Sequence, residues 1–476
     1  MMIKTSMKRT KIAGAVKHSL FLATTLSMIP VLAFADTTTP APSSDTAVLS
    51  ALLNHDDLTY GGVTLYGTVD IGVAHQTHGA PLNDSFAPGL DYIISKSSNK
   101  AVSSVVGGGM SQSKLGVKGD IKIADDLSFI FKLETGFDPA TGMLSDSPKS
   151  LVDNNGLPLT SQTASGDSSR AGQFFQGAAY AGVSSKEWGA LTLGRQNSLL
   201  QDGILKYDPQ GGSNAFSLLG FSGVTAGAGD TQDARLDSSI RYSNQFGPGR
   251  FAMLYQFSDG SNGKAYQFNL GTDFNVWAPE YGQVSLDAFY VHKNDAISAA
   301  SLTAAQVATE PTGSLAATIS DNSAYTFMAK YKLEPVQLYA GYEHIRFTNP
   351  TNPLAAGTTD IGGYELSVIN NAAYNNAKIL GVSWFGAKYA ITPKLDLTGA
   401  YYHYNQNSYK GNSCSDTSAA SCSGSLNATS LSLDYKFTKR FDVYGGVMAS
   451  KVEHGMASGY LNTSTTSPMI GMRYNF

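Results

Sequence analysis

The chain ends Met469-Ile470-Gly471-Met472-Arg473-Tyr474-Asn475-Phe476, and the order of those residues decides the fold. Ile470, Met472, Tyr474 and Phe476 share one parity; Gly471, Arg473 and Asn475 share the other. A period of two with one apolar face and one polar face is the pattern of a β-strand. Here it runs to a bare terminal aromatic. A soluble sheet leaves such an edge open, whereas a transmembrane barrel uses it by pairing its last strand with its first.

The same alternation recurs upstream. In 127–137, Leu127, Phe129, Phe131 and Leu133 alternate with Ser128, Ile130, Lys132 and Glu134. In 427–437, Leu431, Leu433, Tyr435 and Phe437 alternate with Ser432, Asp434 and Lys436. Sixteen such segments are predicted: 63–76, 113–123, 127–137, 174–183, 190–196, 234–243, 251–259, 265–274, 283–293, 324–332, 336–347, 378–391, 395–406, 427–437, 441–451 and 467–476. Tight turns at Ala124-Asp125-Asp126, Gly247-Pro248-Gly249-Arg250, Leu333-Glu334-Pro335, Thr392-Pro393-Lys394 and Thr438-Lys439-Arg440 alternate with long polar segments such as 77–112, 138–173, 197–233 and 348–377. Short turns on one side and long loops on the other are the signature of an all-β, antiparallel outer-membrane barrel, with short periplasmic turns and long extracellular loops. Tyr66, Tyr242, Phe274, Tyr389, Phe437 and Phe441 stand at strand ends, where interfacial girdles of aromatics are expected.

Composition agrees. Of 476 residues only 15% are charged, against about 25% in soluble proteins, while Gly reaches 49 and Tyr 25. Lys4, Lys8, Arg9, Lys11 and Lys17 precede an apolar run, Leu20 to Ala35, that closes on Ala33-Phe34-Ala35. This is the pattern of a cleavable secretory signal, so residues 1–35 are set apart from the fold. Residues 36–62 are rich in Thr, Pro and Ser and are expected to form a flexible tail, with the barrel occupying 63–476. Without the signal the chain has 28 basic and 37 acidic residues, a net charge of −9, which argues against nucleic acid as a partner. Cys414 and Cys422 lie in one polar segment of an exported chain and are expected to form a disulfide rather than a metal site, because no further ligands stand nearby.

Several stretches resemble general porins of the neisserial and burkholderial type. Val63-Thr64-Leu65-Tyr66-Gly67-Thr68-Val69-Asp70 is similar to their first strand. Ser113-Lys114-Leu115-Gly116-Val117-Lys118-Gly119-Asp120 and Phe131-Lys132-Leu133-Glu134-Thr135-Gly136-Phe137 resemble the second and third, and Leu191-Thr192-Leu193-Gly194-Arg195-Gln196 the end of the fifth. The terminal strand matches too. Where that family often carries a basic residue in strand four, this chain reads Phe174-Phe175-Gln176-Gly177. The resemblance implies a homotrimeric channel of sixteen strands per subunit in the bacterial outer membrane, set among lipid and lipopolysaccharide. It implies a third loop, 197–233, folded into the lumen, and a terminal aromatic (Phe476, with Tyr474) read by the barrel-assembly machinery. The function implied is passive diffusion of small hydrophilic solutes and ions, with no cofactor.

Strand parity then nominates a constriction. Lys114, Lys118, Lys122 and Lys132 fall on the inward parity with Asp120 and Glu134 among them, and Arg235, Asp237 and Arg241 follow on the sixth strand. Lys114, Lys118, Lys132, Arg235 and Arg241 form the expected basic wall. The loop acids Asp202, Asp208, Asp230 and Asp233 are expected to oppose it, with Asp208 and one or more of the others facing Lys118, Lys132 and Arg241 across the pore. Arg195 falls on the lipid-facing parity of Leu191 and Leu193. Inward cations slightly outnumber inward acids along the strands, which leans toward anions.

Other functions are weighed against this. No HExxH, P-loop or GxSxG stands in the sequence. His344 and Ser383 have outward parity, the placement a barrel phospholipase would need, although interfacial side chains explain them as well. His75 and His78 could hold a metal or simply face solvent. Inward aromatics Phe289, Tyr339, Trp384, Tyr402, Tyr404 and Tyr444 would suit a substrate-specific channel as a solute track, or fill space beneath the loops. The long loops leave room for an adhesin.

Overall fold

A computed structural model describes residues 58–79, 99–144, 174–219, 234–258, 263–299, 314–361, 364–410, 414 and 419–476. Residues 1–57, which include the signal and most of the tail, lie outside the described residues.

Among the described residues sixteen strands make the wall. They are β1 Val63–Gly79, β2 in two pieces (Lys100–Gly107 and Lys114–Ala124), β3 Leu127–Gly136, β4 Ala178–Ser185, β5 Gly189–Asn197 and β6 Arg235–Phe246. Next come β7 Gly249–Gln256, β8 Ala265–Asn275, β9 Gln283–Ala299, β10 Ser314–Leu333 and β11 Val336–Thr348. The wall closes with β12 Lys378–Thr392, β13 Leu395–Gln406, β14 Gly424–Lys436, β15 Phe441–His454 and β16 Ser464–Asn475. Each pairs antiparallel with its neighbours in sequence. The seam pairs β1 with β16, from Thr68 opposite Asn475 to Ala74 opposite Met469. Phe476 completes the seam by exchanging backbone hydrogen bonds with Gly67 (3.0 and 3.1 Å). Its ring lies on Gly67, where a Cβ would come within 2.4 Å, so that position has room only for glycine. The sixteen-stranded closed barrel expected from the alternation is therefore the fold.

The turns follow their chemistry. Asp125-Asp126 joins β2 to β3, and Gly247-Pro248 joins β6 to β7 with Gly247 at a φ of 57°. At the other end the strands run further than the period of two indicated. β9 and β10 reach Ala299 and Ser314, and a hairpin, Thr358–Ile361 with Tyr364–Asn370, docks parallel to Ser314–Thr318. The boundary of the tail also moves. Leu58–Tyr60 pairs with Val63–Leu65 across Gly61-Gly62, whose φ angles of 57° and 81° are those of a tight hairpin.

Outward side chains are the apolar ones: Leu193, Met253, Phe268, Leu270, Phe327, Phe385, Leu431 and Ile470 are all exposed. Such a surface is untenable in water over so many strands and suits lipid. Phe274, Tyr389 and Phe437 stand on this face, as the girdle reading expects. Tyr66 does not: it shares the inward parity of Thr68 and Asp70, and its ring lies over Gly116, which has no side chain to block it.

The connection between β5 and β6 contains a helix, α1 (Leu199–Tyr207). Ser198 caps it by accepting from the Gln201 N–H at 3.0 Å. Leu200, Ile204 and Tyr207, spaced four and three residues apart, form its buried face.

Candidate functional site

Inward side chains fall into two unlike sets. From β7 to β15 the middle and upper rows are apolar: Leu254, Phe289, Met328, Ile345, Val382, Trp384, Tyr402, Tyr404 and Leu426 are buried against Leu199, Leu200, Ile204, Leu218 and Leu219 of the β5–β6 connection. Each fully buried side chain of this size contributes about 1.5–3 kcal/mol. Polar ties fix the register of that packing. Trp384 Nε1 donates to the Tyr207 carbonyl (3.1 Å), Tyr207 Oη to Asp287 (2.5 Å), and Tyr404 Oη to the Leu218 carbonyl (2.5 Å). Gln210 donates to Ser430 Oγ (3.1 Å) and accepts from Ser432 Oγ (2.7 Å). The connection then reaches β2, where Ser213 Oγ donates to the Gly109 carbonyl (2.7 Å) and Asn214 to that of Gly108 (3.1 Å). The aromatics Phe289, Trp384, Tyr402, Tyr404 and Tyr444 are thus spent on packing, and a solute track along them has no free faces.

The wall from β1 to β6 is built otherwise. Lys118 and Lys132 stand directly opposite each other on β2 and β3. Like charges in that position repel. Both ammonium groups lie over the Tyr66 ring, at 5.6 and 5.7 Å from its centroid. Glu134 supplies the counter-charge: Lys132 is 3.1 Å away, Lys114 3.6 Å, and Tyr66 Oη donates to it at 2.9 Å. Arg235 belongs to the same electrostatic group. Lys114 and Lys132 therefore share one carboxylate, with Lys118 beside them over the Tyr66 ring.

The remaining candidates depart from their expected places. Arg241 is paired with Asp202 at 2.6 Å, so this acid anchors α1 to its own wall instead of facing the cations across a gap. Asp208 does not oppose the lysines. It is buried and accepts from Tyr402 Oη (2.7 Å), the Gly212 N–H (2.7 Å) and the Gln210 N–H (3.3 Å). Burial outweighs those bonds and pushes the carboxyl above its ordinary range. Asp230 and Asp233 lie outside the described residues.

Arg195 is turned inward, against its parity. The β5–β6 register slips after Gly194, which has a φ of 125°, and the slip lets Arg195 reach Asp237 (2.6 Å) and the Gln176 carbonyl (2.8 Å). Arg235 donates to the next carbonyl, Gly177, at 2.9 Å. The Gln176-Gly177 stretch, which lacks a basic residue, thus receives two arginines from neighbouring strands.

Sequence reasoning missed Asp70. Fully buried on β1, it accepts from the N–H groups of Gly109 (3.2 Å), Met110 (3.0 Å) and Ser111 (2.8 Å) and from Tyr444 Oη (2.5 Å). It holds the break in β2 against the inner wall, a role no strand alternation could disclose. Among the described residues no group of three or more His, Cys, Asp or Glu is placed to hold a metal. His75 Nδ1 is bonded to Ser103 Oγ (2.7 Å) and His78 Nδ1 to the Ser464 carbonyl (2.7 Å), on different strands. Cys414 and Cys422 are joined as a disulfide.

A closed transmembrane barrel with a charged inner wall and an inward-packed connection defines a class of channel rather than an enzyme. A model of the Gram-negative porin family matches residues 23–455, and the chain belongs to that family. An outer membrane porin protein of Bordetella pertussis is 25% identical over 197 residues, 41% of this chain and 43% of that protein, so the match spans less than half of the relative. An anion-selective porin from Comamonas acidovorans superposes with a TM-score of 0.57 at 16% identity, covering 87% of this chain and 99% of the other. For OmpT of Vibrio cholerae the TM-score is 0.55 at 14% identity, covering 88% and 100%. At these identities the two structures speak to the fold alone.

Proposed function

We propose that the protein is an outer-membrane porin through which small hydrophilic solutes diffuse passively, anions in preference to cations. The observation that carries this reading is the group Lys114, Lys118 and Lys132, gathered around Glu134 and facing the lumen beside Tyr66. In a narrow water-filled bore such a surplus attracts anions and repels cations. The β5–β6 connection narrows the bore from the opposite side, with Leu205 exposed beside Gly212. The mature chain, freed of residues 1–35, assembles as a homotrimer among lipid and lipopolysaccharide, and Phe476 with Tyr474 serves as its signal to the barrel-assembly machinery. The family supports the membrane and the assembly, and the seam at Gly67 gives Phe476 a structural use besides.

The test is conductance of the refolded chain in a planar bilayer under a KCl gradient. The reading expects conductance that rises with salt, closures in groups of three, and a reversal potential of anionic sign. A sealed bilayer or a cationic reversal potential would count against it.

A further inference from the structure

The lipid-facing wall of β11 to β15 carries a polar row that a passive channel does not use. Register places Tyr342, Ser383, His403, Asn427 and Lys451 side by side on five successive strands. All five have the outward parity, among apolar neighbours such as Phe385 and Leu431. Parity alone pairs Ser383 with His344, but register gives it another histidine. His344 lies opposite Gly381 and stacks on Tyr325 at 4.8 Å, whereas His403 lies directly opposite Ser383. The Cβ atoms of such a pair are about 5 Å apart, close enough for an imidazole nitrogen to meet a serine hydroxyl.

His403 is held from its other side. Its Nδ1 stands 2.8 Å from Asn427 Oδ1, which also accepts from Tyr401 Oη at 2.7 Å. An amide oxygen only accepts, so Nδ1 carries the ring proton and Nε2 is left bare. The two ring nitrogens face away from each other, so Nε2 is turned off β14, to the side of Ser383. Ser383 Oγ and Tyr342 Oη have no hydrogen-bond partner among the described residues. Beside Ser383 the wall is open at Gly381, where an added Cβ would meet nothing nearer than Tyr342 Oη at 3.7 Å. Lys451 closes the row, exposed and paired with Glu453 at 2.5 Å. A charged pair on the outer face marks the level where hydrocarbon gives way to headgroups, and there the ester groups of membrane lipids meet water. Aromatics and a lysine are ordinary at that level. A free serine, a histidine fixed by an amide and a free phenol over a glycine are the parts that acyl transfer needs.

We propose that this row is a hydrolase site for the acyl esters of membrane lipids, with Ser383 as nucleophile, His403 as general base and Tyr342 as oxyanion donor. Asn427, held by Tyr401, is the positioning residue for His403. Ser383 Oγ bonds to the ester carbonyl carbon as its proton passes to His403 Nε2, and Tyr342 Oη donates to the oxyanion above Gly381. The bond from that carbon to the alcohol oxygen then breaks, the Nε2 proton goes to the departing oxygen, and the lysolipid leaves. Water attacks the acyl–Ser383 ester and gives a proton to Nε2. The fatty acid is released as Nε2 returns that proton to Ser383 Oγ.

This activity rests on the outer-membrane reading above but not on the channel's selectivity. The test incubates the refolded full chain with vesicles of dioleoylphosphatidylethanolamine and, separately, with diphosphoryl lipid A, and counts released fatty acid by mass spectrometry. Release is expected, and the vesicle that gives it tells which lipid supplies the ester. Ser383→Ala, His403→Gln and Tyr342→Phe should each lower the rate about a hundredfold or more. Asn427→Leu should lose rate and Asn427→Asp should regain it, which a mere packing role would not show. His344→Gln should leave the rate unchanged. A fluorophosphonate probe should label Ser383 in the wild type and not in His403→Gln, which serves if Ser383→Ala does not fold. Conductance and oligomeric state should match the wild type throughout; a failure of the channel reading would show there and not in the assay. Absence of fatty acid from both lipids overturns the proposal. So does a rate that survives Ser383→Ala, which marks a contaminating hydrolase, or one that falls with His344→Gln and not with His403→Gln.

Discussion

The upper and middle rows of the inner wall from β7 to β15 and the lower rows from β1 to β6 follow the same alternation and differ in chemistry, while the lower rows from β7 to β15 carry ion pairs such as Arg250–Asp273 and Lys436–Asp396. One presents Leu254, Phe289, Val382 and Trp384, and is sealed by α1 and the residues after it. The other presents Lys114, Lys118, Lys132 and Glu134, and is left open. Parity tells which side chains point inward, but not which of them meet water. The difference makes the passage eccentric at the level of α1: there the wall from β7 to β15 behaves as a protein core, and the aqueous path follows the cations of β2 and β3.

That contrast can be broken on either side. The largest effect is expected in the core, where Leu200→Ala removes a side chain with no exposure and should cost about 2–5 kcal/mol. Thermal unfolding of the refolded barrel should fall accordingly, single-channel records should become noisier, and the reversal potential should not move. A moved reversal potential would mean that the sealed side takes part in selectivity. At the bulge, Arg195→Ala leaves Asp237 without the guanidinium that stands 2.6 Å away and should cost about 3 kcal/mol, read as loss of refolding yield. Asp237→Asn in the same chain should restore part of that yield.

The open side responds in selectivity and not in stability. Lys118→Gln/Lys132→Gln should lower the anion-to-cation permeability ratio roughly thirtyfold, since each charge contributes about 1 kcal/mol at 4 Å in a water-like medium and about 1.4 kcal/mol is a factor of ten. Glu134→Gln is the smallest change and has the opposite sign: the ratio should rise about fivefold, because the carboxylate that neutralises Lys132 and Lys114 is gone. If Glu134→Gln lowered the ratio instead, the cations would be serving structure and not permeation.

The strands, their parity and the closing pair were legible in the sequence, because lipid on one face and water on the other force a period of two that nothing local overrides. The inner connection was less legible. Its charges suggested a row of acids facing a basic wall, yet Asp202 and Asp208 are consumed by Arg241 and by Tyr402 within packing distance. A carboxylate in sequence does not announce whether it meets solvent or a tyrosine hydroxyl. The helix was signalled by Ser198 followed by Leu200, Ile204 and Tyr207, a spacing that the length of the loop obscured. Arg195 was misplaced because a single register slip after Gly194 inverts parity, and a slip leaves no mark in the alternation beyond a glycine. Asp70 escaped notice because three of its four donors are backbone N–H groups, which every sequence has.

An eccentric aqueous path is tested most directly by thiol accessibility, for which Cys414 and Cys422, being joined to each other, leave no free background thiol among the described residues. Lys118→Cys and Val382→Cys stand on opposite inner walls, one exposed and the other fully buried. A bulky anionic thiol reagent added to open channels should cut conductance on the order of half at position 118, since it adds both volume and the wrong charge to the path. At position 382 it should react slowly and leave the current unchanged. Equal rates and equal block at the two positions would contradict the eccentric path and return the whole lumen to water.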